Sequence, residues 1–181
     1  MAKSMNPKPS VFVIHGRNQT YLNRLLELLR RLGIDAHTFD SIPKRGSPTV
    51  IELLEEWIPK VNAVIVLLTP DDEGRLKGTR PLKPRARQNV VFEAGYGLIS
   101  ARDKSLVVEL GDVERLTDME GIHIVKDSRW SSALEWNIAK RMHDLFPSVP
   151  LTPVLHFTNF AYTIEKRNGI QCCQSAKWDT F

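Results

Sequence analysis

Long apolar runs are missing from this 181-residue sequence, and their absence limits what the protein can be. No apolar stretch approaches the roughly 18 residues that suggest a membrane-spanning helix. The first ten residues contain lysines but no apolar core after them, so they do not read as a signal peptide. We therefore expect no membrane partner.

Cysteine and metal-binding patterns are also scarce. The two cysteines, Cys172 and Cys173, are adjacent, which suits neither an ordinary disulfide nor a metal site. The histidines after His15 show no metal-ligand spacing, and the sequence contains neither a Walker loop nor a GxGxxG motif. These absences favour a reduced, cytoplasmic setting, with no metal and no bound cofactor.

The composition fits a globular protein with one ordinary domain. Hydrophobic residues make up 42% of the chain and charged residues 25%. Regular structure is expected from residue 10 to residue 146, because prolines follow at 147, 150 and 153. We expect residues 1–9 to be a flexible N-terminus, and residues 147–181 to be a tail or a linker to a missing sensor domain.

Positive charge is concentrated in one stretch. The formal net charge is +4, and six basic residues lie between positions 75 and 87 with no acidic residue among them. Such a cluster attracts phosphate, either on a nucleotide or on nucleic acid. A solvated loop is the alternative. We expect a nucleotide partner and no specific nucleic acid.

Strands and helices alternate along the chain. Apolar runs at residues 11–14, 34–39, 61–68, 105–110 and 122–125 predict five strands. Helices are predicted after Asn18, after Thr49, over residues 85–100, and after Ser131 or Ser132. This order predicts an α/β fold, a flavodoxin-like five-stranded parallel sheet in the order 2-1-3-4-5 with helices on both faces.

Ligands bind such sheets where the winding direction changes, beyond the carboxyl ends of strands 1 and 3. His15, Gly16 and Arg17 follow the first strand, and Asp71 follows the third. Gly16 lets a ligand approach the backbone closely. The sequence therefore predicts a binding site at this edge of the sheet.

The predicted helix over residues 85–100 carries polar residues that suit a nucleotide. We expect Val91, Phe92, Gly95, Leu98 and Ile99 to form its buried stripe. Asn89 and Glu93 fall on another side, one turn apart, where they could grip a sugar hydroxyl. Arg85 and Arg87 precede them and would bring positive charge to a phosphate at the helix N-terminus.

Three segments resemble one family: VFVIHGR at residues 11–17, VIVLLTPDD at 64–72 and ARQNVVFEAGY at 86–96. They are similar to the bacterial TIR-like predicted nucleotide-binding domains on effectors of cyclic-nucleotide antiphage systems, and the third segment is the most specific. The resemblance covers roughly residues 10–146. It implies a TIR-like domain that hydrolyses NAD to nicotinamide and ADP-ribose, or a cyclic variant, when it assembles.

The resemblance also implies roles for particular residues. Glu93 matches the catalytic glutamate, and the loop over residues 40–48 matches the one that shapes the site and mediates assembly. NAD is then a substrate rather than a cofactor. The residues expected to bind it are His15, Gly16, Arg17, Asp40, Asp71, Arg85, Arg87 and Asn89. Expected partners are further copies of the domain, in oligomers or filaments, and a sensor domain or partner that responds to a cyclic nucleotide.

Three other functions remain open at this point. A TIR module without catalysis would act through assembly alone. A nucleoside deoxyribosyltransferase shares the architecture and also places a glutamate against a sugar. A receiver-type signalling domain would need acidic residues after the first strand, where this chain has His15, Gly16 and Arg17, so it ranks last.

Overall fold

A computed structural model describes residues 8–44, 46–114, 116–117 and 119–151. The strands are β1 (Ser10–His15), β2 (Asp35–His37), β3 (Ala63–Leu68), β4 (Asp72–Gly74), β5 (Lys83–Arg85), β6 (Ser105–Leu110) and β7 (Ile124–Asp127). The helices are α1 (Gln19–Arg31), α2 (Val50–Trp57), α3 (Gln88–Ser100) and α4 (Ser132–Leu145), with short 3-10 turns at Ile58–Lys60 and Arg102–Lys104. The adjacent cysteines and most of the expected tail lie outside the described residues.

Five strands form one parallel sheet in the order β2-β1-β3-β6-β7. This confirms the predicted α/β fold and its 2-1-3-4-5 order. Helices α1 and α4 supply the apolar cluster on one face of the sheet. Helices α2 and α3 supply the cluster on the other. Among the described residues no helix combines the length and the apolar character needed to span a membrane.

The predicted starts of α1, α2 and α4 are confirmed by their caps. The Asn18 side chain accepts a hydrogen bond from the backbone of Tyr21, and Ser131 accepts one from Leu134. Thr49 forms a capping box with Glu52, in which each side chain accepts a hydrogen bond from the other residue's backbone. These side chains satisfy backbone donors that the first turn of a helix leaves unpaired.

Several predicted boundaries differ from the observed ones. Strand β2 is Asp35–His37 instead of 34–39, and β3 begins at Ala63 instead of residue 61. Helix α3 begins at Gln88 instead of residue 85, because the preceding residues form an antiparallel hairpin in which β4 pairs with β5. Arg85 is the last residue of β5, opposite Asp72. The last strand, β7, begins at Ile124 rather than at residue 122. The basic stretch is therefore partly a hairpin and does not lead directly into the helix.

The buried face of α3 also differs from the predicted stripe. Phe92 is 61% exposed and Ile99 is 86% exposed, and Gly95 is also exposed, so the expected stripe was wrong at these three positions. The buried residues of α3 are Val90, Glu93, Ala94, Gly97 and Leu98. The helix turns this face to the sheet because Gly97 packs closely against it: a Cβ there would lie 2.9 Å from Ile14 Cδ1 and 3.1 Å from Val64 Cγ1. Glu93 consequently lies at the edge of the core.

Candidate active site

The turns after β1 and β3 meet at the carboxyl edge of the sheet. The backbone N–H of Arg17 donates a hydrogen bond to Asp71 Oδ2 at 2.7 Å. Gly16 is required by this contact, since a Cβ on it would lie 1.8 Å from the same oxygen. The structure thus brings together three of the residues predicted from the sequence, Gly16, Arg17 and Asp71. The backbone N–H of Arg17 is therefore already hydrogen-bonded to a carboxylate oxygen of the protein.

Two buried polar atoms lie beside this contact. His15 Nδ1 bonds the carbonyl of Gly16 at 2.8 Å, so Nδ1 carries the proton and Nε2 is left as an acceptor in the neutral ring. His15 Nε2 and Thr69 Oγ1 are both buried, and within the described residues neither has a hydrogen-bond partner. Thr69 is 2% exposed. Unpaired buried polar atoms are uncommon in folded proteins, and they are available here to a polar ligand or a water.

Glu93 reaches the same edge from α3. Gly97, one turn later in the helix, packs against Ile14 and Val64 in the first and third strands. Since α3 runs back from the end of β3 toward the start of β6, Glu93 lies about 6 Å nearer the carboxyl edge than Gly97. Its carboxyl group is thus held on a rigid helix beside the strand that ends in His15.

Burial has the largest effect on the pKa of Glu93. The residue is 8% exposed. Within the part of the chain that the structure describes, its carboxyl group accepts no hydrogen bond. Burial raises the pKa of Glu93 to about 7, against the positive charge of Arg87, which lowers it. A nearby cation stabilises the ionised form of a desolvated carboxylate more strongly than that of an exposed carboxylate, because the local dielectric is low.

The residues at the start of α3 divide into two groups. Arg87 is the N-cap residue, and its side chain makes no capping hydrogen bond, so the first backbone donors of the helix stay uncapped. Asn89 is exposed one turn before Glu93. Arg85 instead points along the hairpin, with its guanidinium across Gly74 and 3.2 Å from the Glu114 carboxylate. The expectation that Arg85 lies at the helix N-terminus was therefore wrong.

The connection between β2 and α2 covers the α3 side of this edge. Its Ile42 is buried in the same cluster as Val90 and Ala94 of α3. Phe39 packs edge-on against Phe12 of β1, with ring centroids 5.1 Å apart. Asp40, between Phe39 and Ile42, is exposed. The loop is anchored by apolar residues on both sides of Asp40, which leaves that carboxylate at the surface.

Two residues of this region were not among the binding residues predicted from the sequence, although Thr69 lies in the turn after the third predicted strand, where the site was expected. Thr69 carried a weak signal, as a polar residue directly after a wholly apolar strand. Glu114 carried none, because its contacts with the hairpin join segments about 30 positions apart through an irregular connection.

Residues 10–128 match the family model described as "CAP12/Pycsar effector protein, TIR domain". The chain belongs to this TIR-domain family. The matched residues include both strand ends and the whole of α3, so the family assignment rests on the segments that build the site.

Two curated relatives are similar to part of the chain. The chain is 36% identical over 114 residues to the uncharacterized protein YuaY of Escherichia coli K12, covering 62% of this chain and 38% of YuaY. It is 31% identical over 109 residues to Protein tirC of Dictyostelium discoideum, covering 58% of this chain and 53% of tirC. The chain thus spans about half or less of the curated relatives it matches.

Among solved structures, the chain is similar to the flavodoxin-like domain of a Synechococcus protein. The identity is 13% and the TM-score 0.44, over 75% of this chain and 94% of that one. A diflavin flavoprotein A3 from Nostoc gives 12% identity and a TM-score of 0.43, over 77% of this chain and 99% of that one.

Proposed function

We propose that this TIR domain is an NAD glycohydrolase, which cleaves NAD to nicotinamide and ADP-ribose, or a cyclic variant, as an effector of antiphage defence. The observation that carries the proposal is the buried carboxyl group of Glu93 at the carboxyl edge of the sheet. Family membership supports it, since the match includes Glu93.

The reaction suits a single buried carboxylate. Nicotinamide leaves as a neutral molecule from a cationic ring, so its departure requires no general acid. Positive charge then develops on the ribose, and an ionised Glu93 would stabilise it electrostatically, as carboxylates do in glycoside hydrolysis. Binding the cationic nicotinamide ring beside Glu93 would also favour the ionised carboxylate. Water attacking the ribose then gives ADP-ribose.

The neighbouring residues have defined tasks in this proposal. The uncapped N-terminus of α3 and the charge of Arg87 would hold the pyrophosphate. Asn89 would orient a ribose hydroxyl one turn from Glu93. His15 Nε2 and the backbone of Gly16 and Arg17 would contact the ligand at the end of β1, once the Asp71 carboxylate gives way. Arg85 takes no part in holding the pyrophosphate at the N-terminus of α3, because its guanidinium points away along the hairpin toward Glu114.

Assembly is the second part of the proposal. Phe92 and Ile99 project from α3 into solvent, and Val50 and Ile51 are exposed on the neighbouring helix α2. Exposed apolar residues on two neighbouring helices favour contact with another chain. We expect contacts between copies, under the control of a sensor domain or a cyclic-nucleotide-responsive partner, to bring the site into its active form in the cytoplasm.

Product analysis tests the reaction type. Concentrated protein is incubated with NAD, and separately with a deoxynucleoside and a second free base, and the products are separated by chromatography. We expect nicotinamide and ADP-ribose from NAD and no base exchange on the deoxynucleoside. Base exchange without NAD cleavage would identify a deoxyribosyltransferase. No turnover of either substrate by assembled protein would favour a module that acts through assembly alone.

A further inference from the structure

A cavity of about 280 Å³ lies on the other side of α3 from Glu93. Its apolar lining comes from Leu68, Ala86, Val91 and Leu116, and its polar lining from Arg85, Gln88 and Glu114. Val91 and Glu93 are two positions apart, so they project from nearly opposite sides of the helix. The cavity therefore does not belong to the site proposed around Glu93.

Contacts of Glu114 hold the rim of this cavity in place. The backbone N–H of Glu114 donates to the carbonyl of Pro84 at 2.7 Å. Its carboxylate lies 3.2 Å from Arg85 and 3.7 Å from Lys83. These three contacts join the connection after β6 to the β4–β5 hairpin and close one wall of the cavity. The cavity is thus built by tertiary contacts, and not by one mobile loop.

The rim has excess positive charge. Lys83 and Arg85 both contact the Glu114 carboxylate, and Asp72 and Glu73 lie on the paired strand β4. The hairpin, its connection and Glu114 together hold five basic and three acidic residues. Arg75, Lys77 and Arg80 are exposed on the same hairpin connection. In addition, Arg85 Nε is buried and has no hydrogen-bond partner within the described residues. An anionic group at the mouth would meet several cations.

We propose that this cavity binds a mononucleotide-like group, with the base inside and the phosphate on Lys83 and Arg85. The volume falls just below the 300–1,000 Å³ typical of pockets for drug-sized ligands, so it admits one ring system and leaves a phosphate outside. The apolar lining suits the faces of an aromatic ring. The Gln88 amide, which both donates and accepts hydrogen bonds, suits the polar edge of a nucleobase.

Binding is measured by NMR titration of the whole chain with AMP, adenosine and inorganic phosphate. We expect saturable AMP binding that shifts the methyl signals of Leu68, Val91 and Leu116 but not those of Ile99. Adenosine and phosphate should each bind about tenfold more weakly than AMP, because each lacks one half of the contacts. The absence of saturable AMP binding at millimolar concentration, or shifts confined to other residues, would overturn the proposal.

Variants separate the two parts of the site. Val91→Phe fills the cavity and should weaken AMP and adenosine binding about tenfold or more. Lys83→Ala should weaken AMP about tenfold while leaving adenosine unchanged. Gln88→Leu changes an exposed residue, so it tests base recognition even if Val91→Phe does not fold. Ile99→Ala, on the same helix but outside the cavity, is the control and should bind AMP normally. Unchanged AMP binding in both Gln88→Leu and Lys83→Ala would contradict the proposal.

The nucleotide has two possible sources, the adenylate half of NAD or a separate molecule. The proposed site does not rest on the proposed function, since the titration needs no NAD cleavage. If the adenylate half of NAD occupies the cavity, Val91→Phe should raise the KM for NAD about tenfold without changing kcat. If the nucleotide is separate, the KM should stay the same while AMP binding is lost. Either result supports the site once AMP binding is established.

Discussion

At the level of single residues, Glu93 combines burial with the capacity to ionise. Burial raises the pKa of its carboxyl group from 4.5 to about 7, so the folded protein holds this proton more tightly than the unfolded chain does. The stability of the fold should therefore fall as pH rises from about 4.5 to about 7, and should then level off.

Thermal unfolding of wild type and Glu93→Gln at pH 5 and pH 8 tests whether stability falls with rising pH because of Glu93. The glutamine variant has no proton to lose at this position, so it should gain stability relative to wild type between the two pH values. The relative gain should be roughly 1–3 kcal/mol, because solvent still reaches part of the group and reduces the full effect of the shift. An equal pH dependence in both proteins would show that Glu93 ionises like a surface carboxyl.

The same ionisation should control catalysis. Only the ionised carboxylate stabilises positive charge on the ribose, so kcat/KM for NAD should rise tenfold per pH unit below about pH 7 and reach a plateau above it. Initial rates at low NAD concentration across pH 5 to 9 provide the measurement. A plateau that already begins near pH 5 would mean that the free enzyme has an ordinary carboxyl group at this position.

Arg87 and Arg85 should behave differently although they are two positions apart. Arg87 lowers the pKa of Glu93, so Arg87→Ala should shift the rise of kcat/KM to higher pH and also raise the KM for NAD. Arg85→Ala breaks the contact with Glu114 and should leave the pH profile unchanged. The pH profiles of kcat/KM, measured side by side for the two variants, test this difference. Equal shifts in both would contradict the assigned positions.

At the level of secondary structure, α3 shows which features could be predicted from the sequence and which could not. Its existence and its glutamate were predictable, because residues 88–100 contain no proline and Glu93 lies in the most specific family segment, residues 86–96. Its orientation was not. The apolar count favoured Phe92 and Ile99 for the core, but Gly97 allows the helix to approach the sheet on another side.

The β4–β5 hairpin before α3 was not predicted from the sequence, for a related reason. Its strands have three residues each and no apolar alternation. They are stabilised by pairing with each other and through the distant Glu114. Such contacts cannot be deduced from local patterns. By contrast, the buried strands β1, β3 and β6 were predicted closely, because a parallel sheet covered on both faces requires continuous apolar runs.

The two glycines of α3 provide a matched test of its orientation. A Cβ on Gly95 would have no neighbour within 4 Å, so Gly95→Ala should stabilise the protein by about 0.5–1 kcal/mol through helix propensity. Gly97→Leu would force a large side chain against Ile14 and Val64 and should cost about 1–3 kcal/mol or more. Urea unfolding measures both. Equal effects of the two substitutions would contradict the packing of this helix.

At the level of the whole molecule, activity should depend on assembly. Exposed apolar residues on α2 and α3 favour contacts between copies, so the rate of NAD cleavage should rise faster than linearly with protein concentration. Rates from nanomolar to tens of micromolar protein test this. Phe92→Ser should shift the rise to higher concentration, with Asn23→Ser, exposed on α1 at the other face of the sheet, as the control. Strict proportionality down to nanomolar protein would indicate a site that is complete in one chain.

The central claim is that Glu93 carries the cleavage of NAD, and nicotinamide release by matched variants tests it most directly. Wild type, Glu93→Gln and Glu93→Asp are compared at one high protein concentration, with folding checked by thermal unfolding. Both variants should bind NAD, but Glu93→Gln should release nicotinamide at least about 100-fold more slowly, because it lacks the charge that stabilises the ribose cation. Glu93→Asp should retain part of the activity. A glutamine variant that keeps more than a tenth of the wild-type rate would contradict the account.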